Sequence, residues 1–302
     1  MQLLQELAVA NGPLCVGLDT SPDYLPPNIT CGLSPAQAVL RFNEKLIERV
    51  FQDKSAACFK VQAAYYEAMG CEGMRTFAWT LQCARQSGLV CISDVKRGDI
   101  AATAKAYAKA HFVGDFEADI ITVNPYMGFD TLEPFVAFCE SEGKGIFVLL
   151  CTSNLGAADI ECQPLLGGGK VMDLVGSEIE RLCCRLHKLF PQETCGAVGA
   201  VVGCTQQTVA KALREAHKNV FFLIPGYGAQ GGEGGVCKTL LGGAGGVVNS
   251  SRGILCAWKS DPVCRQKQES GFDLTIDDVV EASAKAALAA KKDLMSDASA
   301  QS

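Results

Sequence analysis

Short apolar runs alternate with longer segments of helical periodicity along almost the whole chain. The runs fall at 14–19, 56–62, 89–96, 119–125, 145–153, 196–203, 220–228 and 247–254. Each is followed by a segment whose hydrophobic residues recur at helical spacing. The first of these, "SPAQAVLRFNEKLIERVF", opens on Ser34, a predicted N-cap. Others are "YYEAMGCEGMRTFAWTLQCARQS", residues 101–112, "TLEPFVAFCESEG", "VMDLVGSEIERLCCRLHKLF", "TQQTVAKALREAHK" and "TIDDVVEASAKAALAAKKDL". Residues 231–246 read as a Gly-rich loop before the last strand. Strands apolar on both faces and alternating with helices predict a parallel sheet covered on both sides. Eight such units predict a closed (β/α)8 TIM barrel, with a doubly wound open sheet as the alternative. No linker or repeat divides the chain, so residues 1–295 are expected to form one domain and 296–302 a frayed tail.

Composition changes this picture little. The 302 residues are 48% hydrophobic and 20% charged, an ordinary globular balance. A formal net charge of -6 offers no basic field for nucleic acid or an anionic membrane. The N-terminus has no basic n-region and no run reaches membrane-spanning length, so a cytoplasmic protein is expected. The 16 cysteines are scattered singly, apart from Cys183-Cys184, and form no CxxC. Cys15, Cys58, Cys91, Cys139 and Cys151 sit in apolar runs and read as reduced core thiols. No cluster has metal-ligand spacing, so no metal site is expected.

Charge matters most at the strand ends. Barrel enzymes carry their chemistry at the C-terminal ends of the strands. There stand Asp19, Lys60 and Gln62, Asp94 and Lys96, Asn124, Thr152-Ser153-Asn154, Gly203, "PGYGAQ" and Ser250-Ser251-Arg252. The opposite ends, such as Leu14, Ala56, Leu89 and Gly145, carry little of this kind. Asp94 and Lys96 are two apart on one strand and therefore project from one face, where Lys60 can join them. Asp99 follows at the start of the next helix, where a carboxylate also suits the helix dipole. Lysines and aspartates in alternation hold one another charged despite partial burial. The same pattern also fits a solvated ion cluster that contributes little to stability.

Two further stretches suit a phosphate. "GYGAQGGEGG" follows the seventh strand and "SSRGI" ends the eighth, where barrels frequently bind phosphate through backbone amides. Gln230 can donate an amide hydrogen and Arg252 offers a bidentate fork.

Together these residues resemble the orotidine 5'-phosphate decarboxylase family. "VGLD", "FKVQAAYYE" and "DVKRGDIAAT" carry the resemblance, and "VNPYMGFDTLEPF", "LLCTSN", "PGYGAQGG" and "NSSRGI" are similar to its longer-chain branch. The match runs from about Asp19 to Arg252. The resemblance implies cofactor-free decarboxylation of orotidine 5'-phosphate to UMP, the last step of de novo pyrimidine synthesis. It implies that Asp94 crowds the departing carboxylate, and that Lys96 stabilises and protonates the carbanion at C6. Lys60 and Asp99 complete the charge network, while Asp19 and Thr103 hold the ribose. Thr152 and Ser153 meet the pyrimidine edge, and Gly228, Gln230 and Arg252 hold the phosphate. Gln62, Asn124 and Gly226 complete the candidate substrate-binding set. Gln62 departs from the pattern, since Asn is expected there. The resemblance further implies a homodimer in which Asp99 and Thr103 enter the partner's site, and a Gly-rich lid before Val247.

Two other classes compete. A related barrel acting on a sugar phosphate uses Mg²⁺ held by carboxylates, or a Schiff-base lysine. "KRGDI" and the lack of an extra acidic ligand argue against these. A catalytically silent nucleotide-binding barrel would not need a carboxylate facing the substrate's anion, so the intact Lys60, Asp94, Lys96 and Asp99 set argues against it.

Overall fold

The computed structural model describes residues 1–203, 206–227 and 234–296. Eight parallel strands close into one barrel in sequence order: β1 (Leu14–Gly17), β2 (Cys58–Gln62), β3 (Val90–Arg97), β4 (Ile120–Val123), β5 (Gly145–Cys151), β6 (Val198–Val202), β7 (Phe222–Ile224) and β8 (Gly246–Ser250). β8 returns to pair with β1, so the sheet has no free edge. The strands are buried almost throughout, as expected when side chains fill the barrel on one face and meet helices on the other. The open-sheet alternative is excluded by the β1–β8 pairing.

Helices of five or more residues follow the predicted periodicity, with four differences. The stretch after β2 forms two helices, Ala63–Glu67 and Gly70–Gln86, rather than one. A helix Gln2–Asn11 precedes β1 and buries Leu4, and a further helix, Pro262–Glu269, follows β8. Within the stretch expected to be a Gly-rich lid, Gly234–Leu240 is helical. Glycine weakens a helix, but Val236, Cys237 and Leu240 are buried, which supplies the packing that local propensity lacks. Ser34 caps its helix as predicted, in a capping box with Gln37. Of the expected tail, 297–302 lie outside the described residues.

The thiols Cys15, Cys58, Cys91 and Cys139 are free and buried, and Cys151 is buried. Burial pushes Cys139 up to about 12, which keeps it protonated and unreactive.

The N-terminal ends of the strands are less bare than expected. Around β3 to β5, Arg85 pairs with Glu117 (2.7 Å) and Asp119 (3.6 Å), and Lys144 pairs with Glu117 (2.8 Å). These charges lie on the helix and loops entering the strands, not on the strand residues that the sequence pattern singled out.

Candidate active site

At the opposite, C-terminal mouth of the barrel the charges alternate Asp19, Lys60, Asp94, Lys96. Lys60 Nζ donates to Asp19 Oδ1 at 2.9 Å and to Asp94 Oδ2 at 3.1 Å. Lys96 Nζ donates to Asp94 Oδ1 at 2.6 Å. Asp94 is 6% exposed and Lys60 4%, whereas the Lys96 side chain is 45% exposed. The array therefore starts deep in the barrel and ends at an open ammonium.

Asp94 accepts two more hydrogen bonds, from Gln62 Nε2 (2.9 Å) and from Thr122 Oγ1 (2.9 Å). Burial alone would raise its pKa, but Lys60 and Lys96 outweigh burial and hold it at about 2. Burial likewise opposes the charge on Lys60, and Asp19 and Asp94 more than offset it, so its ammonium titrates well above the ordinary lysine range. Both groups are ionised at neutral pH. Asp19 is held from its far side by Ser251 Oγ at 2.7 Å, and Asn249 Nδ2 donates to that hydroxyl at 3.1 Å.

The backbone bends to present Lys96. Between Ser93 and Arg97 the pairing of β3 with β4 shifts register, and Lys96 takes φ 45°. A left-handed lysine costs about 1–2 kcal/mol, and such strain gathers at functional sites. Gly98 follows where a Cβ would stand 2.8 Å from the Asn124 carbonyl oxygen, so the turn closes only around glycine. Plain alternation predicted the shared face of Asp94 and Lys96; their ion pair is made across an irregular turn instead.

The other sequence-predicted residues spread around the mouth. Thr152 and Ser153 line a cavity of about 230 Å³ with Lys60, Asp94 and Lys96. Thr152 is engaged by Glu161, which accepts its amide at 2.8 Å and its hydroxyl at 2.7 Å. Asn124 turns its Oδ1 to the Tyr126 amide (3.0 Å) and lines an adjoining, larger hollow of about 670 Å³. Gly226, at φ 96°, follows β7 in a conformation suited to glycine. Arg252 is exposed at the start of the short helix Arg252–Leu255. Gly228 and Gln230 lie outside the described residues.

Asp99 stands apart. Its Oδ1 accepts the Ile100 amide at 2.8 Å, and no ion pair joins it to the array among the described residues. Thr103 is exposed on the first turn of helix Ala101–Phe112. Within one chain Asp19, Lys60, Asp94 and Lys96 link to one another without Asp99, whose expected place is in the partner's site. The sequence reading missed Thr122, Ser251 as a ligand of Asp19, and Glu161. Thr122 had a signal: it lies two residues before Asn124 and is polar within the otherwise apolar run "IITV".

The family model described as "Orotidine 5'-phosphate decarboxylase / HUMPS family" matches residues 12–263. The chain belongs to this family. Among its decarboxylase-named relatives, that of Clostridium botulinum strain Hall is 49% identical over 260 residues, covering 85% of this chain and 89% of its own. The orotidine 5'-phosphate decarboxylase of Clostridium perfringens strain SM101 is 48% identical over 259 residues, covering 85% and 88%. The solved Leishmania donovani OMP decarboxylase superposes with a TM-score of 0.67 at 28% identity, covering 93% of this chain and 99% of that one. The UMP synthase of the same organism gives a TM-score of 0.69 at 31% identity over 92% of this chain and 56% of that longer one. Among the described residues no group of three or more His, Cys, Asp or Glu side chains is arranged to hold a metal ion.

Proposed function

We propose that this protein decarboxylates orotidine 5'-phosphate to UMP, closing de novo pyrimidine synthesis. The observation that carries the proposal is the Asp94 carboxylate, buried and ionised under four donors beside the open ammonium of Lys96. A merely structural ion pair has no use for a desolvated anion facing an open cavity. The relatives that share about half of the sequence carry the decarboxylase half of the family's description, which favours this reaction over sugar-phosphate chemistry.

In the proposed reaction Asp94 faces the substrate carboxylate, and the repulsion is relieved as the C6–carboxylate bond breaks and CO₂ departs. The bonding electron pair stays on C6. Lys96 stabilises that pair, donates a proton to C6, and recovers one from water. Because the charges are already in place, no reorganisation is needed as the carbanion forms. Phosphate binding far from C6, by Arg252 and the segment from Gly226 to Gln230, supplies energy for crowding the carboxylate. Asp19 and Gln62 line the ribose side. Ser153 meets the pyrimidine edge while Glu161 keeps Thr152 in place. Asp99, half-buried, and Thr103, exposed, lie in the same part of the chain as the exposed Ile100, on a face suited to a second copy of the chain, whose site they complete. Free buried thiols fit a reducing, cytoplasmic setting.

The test is the ultraviolet absorbance of orotidine 5'-phosphate with purified protein, with and without EDTA, beside Lys96→Ala. Conversion to UMP that survives EDTA and disappears in the variant is expected. Turnover lost on chelation would point to a metal-dependent relative, and UMP binding without turnover to a silent binder.

A further inference from the structure

The register shift between β3 and β4 leaves an unequal match. Ser93 pairs with Ile121 and Arg97 with Val123, so Asp94, Val95 and Lys96 lie opposite a single residue, Thr122. The ladder cannot serve both chains there, and the Thr122 side chain takes its place. Its hydroxyl oxygen accepts the Lys96 amide at 2.9 Å and donates its one hydrogen to Asp94 Oδ1 at 2.9 Å. The roles fix each other: a hydroxyl committed to a carboxylate as donor meets an amide N–H only as acceptor. Thr122 stands at the wall of the cavity but is 1% exposed, and its hydroxyl is spent on Lys96 and Asp94, so it acts through these two neighbours.

We infer that Thr122 is a positioning residue for the decarboxylation, its hydroxyl locking the left-handed turn at Lys96 and one oxygen of Asp94 into a single geometry. The ammonium and the carboxylate then meet the substrate already aligned, rather than being ordered by it. Nothing of similar shape without a hydroxyl does both: valine fills the space but leaves the Lys96 amide and Asp94 Oδ1 each short of a partner. The inference rests on the proposed decarboxylation for its kinetic consequence, and on geometry alone for the hold on Lys96.

The experiment compares Thr122→Val and Thr122→Ser with the wild-type protein in kcat for orotidine 5'-phosphate, in Kd for UMP, and in hydrogen exchange at the Lys96 amide. Thr122→Val is expected to lower kcat by roughly 10- to 100-fold, the scale of a small misplacement of reacting groups. UMP affinity should hardly change, and the Lys96 amide should exchange faster. Thr122→Ser should recover most of kcat and of the protection. Wild-type kcat in Thr122→Val, or equal losses in the valine and serine variants, would overturn the assignment. Unchanged exchange at Lys96 would do the same even if the wild-type protein fails to turn over the substrate, a result that would sink only the proposed reaction. Should Thr122→Val not fold, Thr122→Ala against Thr122→Ser makes the same comparison of hydroxyl present and absent.

Discussion

The barrel carries an ion cluster at each end, and the two are built for different work. At the bottom, Arg85, Glu117, Asp119 and Lys144 spend much of their bonding on the backbone. Asp119 accepts the Cys91 amide at 2.8 Å and Lys144 donates to the Ala118 carbonyl at 3.1 Å. Arg85 is 32% exposed and Glu117 30%, so water shares their charges and screens their attraction. At the top, Lys60 and Asp94 are nearly sealed, and the array bonds side chain to side chain. One cluster staples strand entrances; the other stores an electric field at the wall of a cavity. Alternating charge alone does not tell these apart. Burial, the choice of partner and an open end do.

The comparison breaks most visibly at Lys60. Lys60→Met should cost about 3–5 kcal/mol, because Asp94 and Asp19 then share a buried site without their common cation. Urea unfolding reads that loss, and kcat should fall by at least about 10²-fold as the field is disrupted. A loss below about 1 kcal/mol would make the two ends equivalent.

Acid gives a smaller effect with a definite sign. The folded pKa of Asp94, about 2, lies below the ordinary aspartate value of about 3.9, so its ionisation stabilises the fold above roughly pH 4. That contribution, about 2 kcal/mol, is lost as the pH falls from about 4 toward 2. Lys60, raised instead, contributes below roughly pH 10 and loses that contribution only as the pH rises through its folded value. Unfolding free energy measured from pH 5 to 2 should therefore fall less in Asp94→Asn than in the wild-type protein. Parallel curves would show that Asp94 is not the group responsible.

The smallest effect is expected at the bottom. Arg85→Ala should cost no more than about 1 kcal/mol and leave kcat within about twofold, since its partners stay hydrated and lie at the opposite end of the barrel. A tenfold loss of kcat in a well-folded Arg85→Ala would mean that the two ends are coupled.

How much of this was legible in the sequence follows from the range of each signal. The eight strands show because two-sided burial demands continuous apolar runs, and Asp19, Lys60, Asp94 and Lys96 show because they interrupt those runs at their ends. The helix Gly234–Leu240 did not show, because its stability comes from packing that overrides a glycine-rich composition. Thr122 and Ser251 acquire their roles from a register shift and from the closure of β8 on β1, so the polar break that Thr122 makes in "IITV" marks the residue without showing what it holds. Glu161 reaches Thr152 from a connecting segment whose path the sequence does not dictate. Asp99 is legible as a charge, but its expected role lies in a second copy of the chain, which no local pattern describes.

The central claim is that a buried carboxylate, ionised before substrate arrives, drives the reaction. The most direct test is the steady-state rate of Asp94→Asn with orotidine 5'-phosphate, beside its affinity for UMP. The account predicts that the rate falls by about 10³-fold or more while UMP still binds, since the amide keeps its place and loses its charge. A variant that turns over within tenfold of the wild-type rate would contradict it.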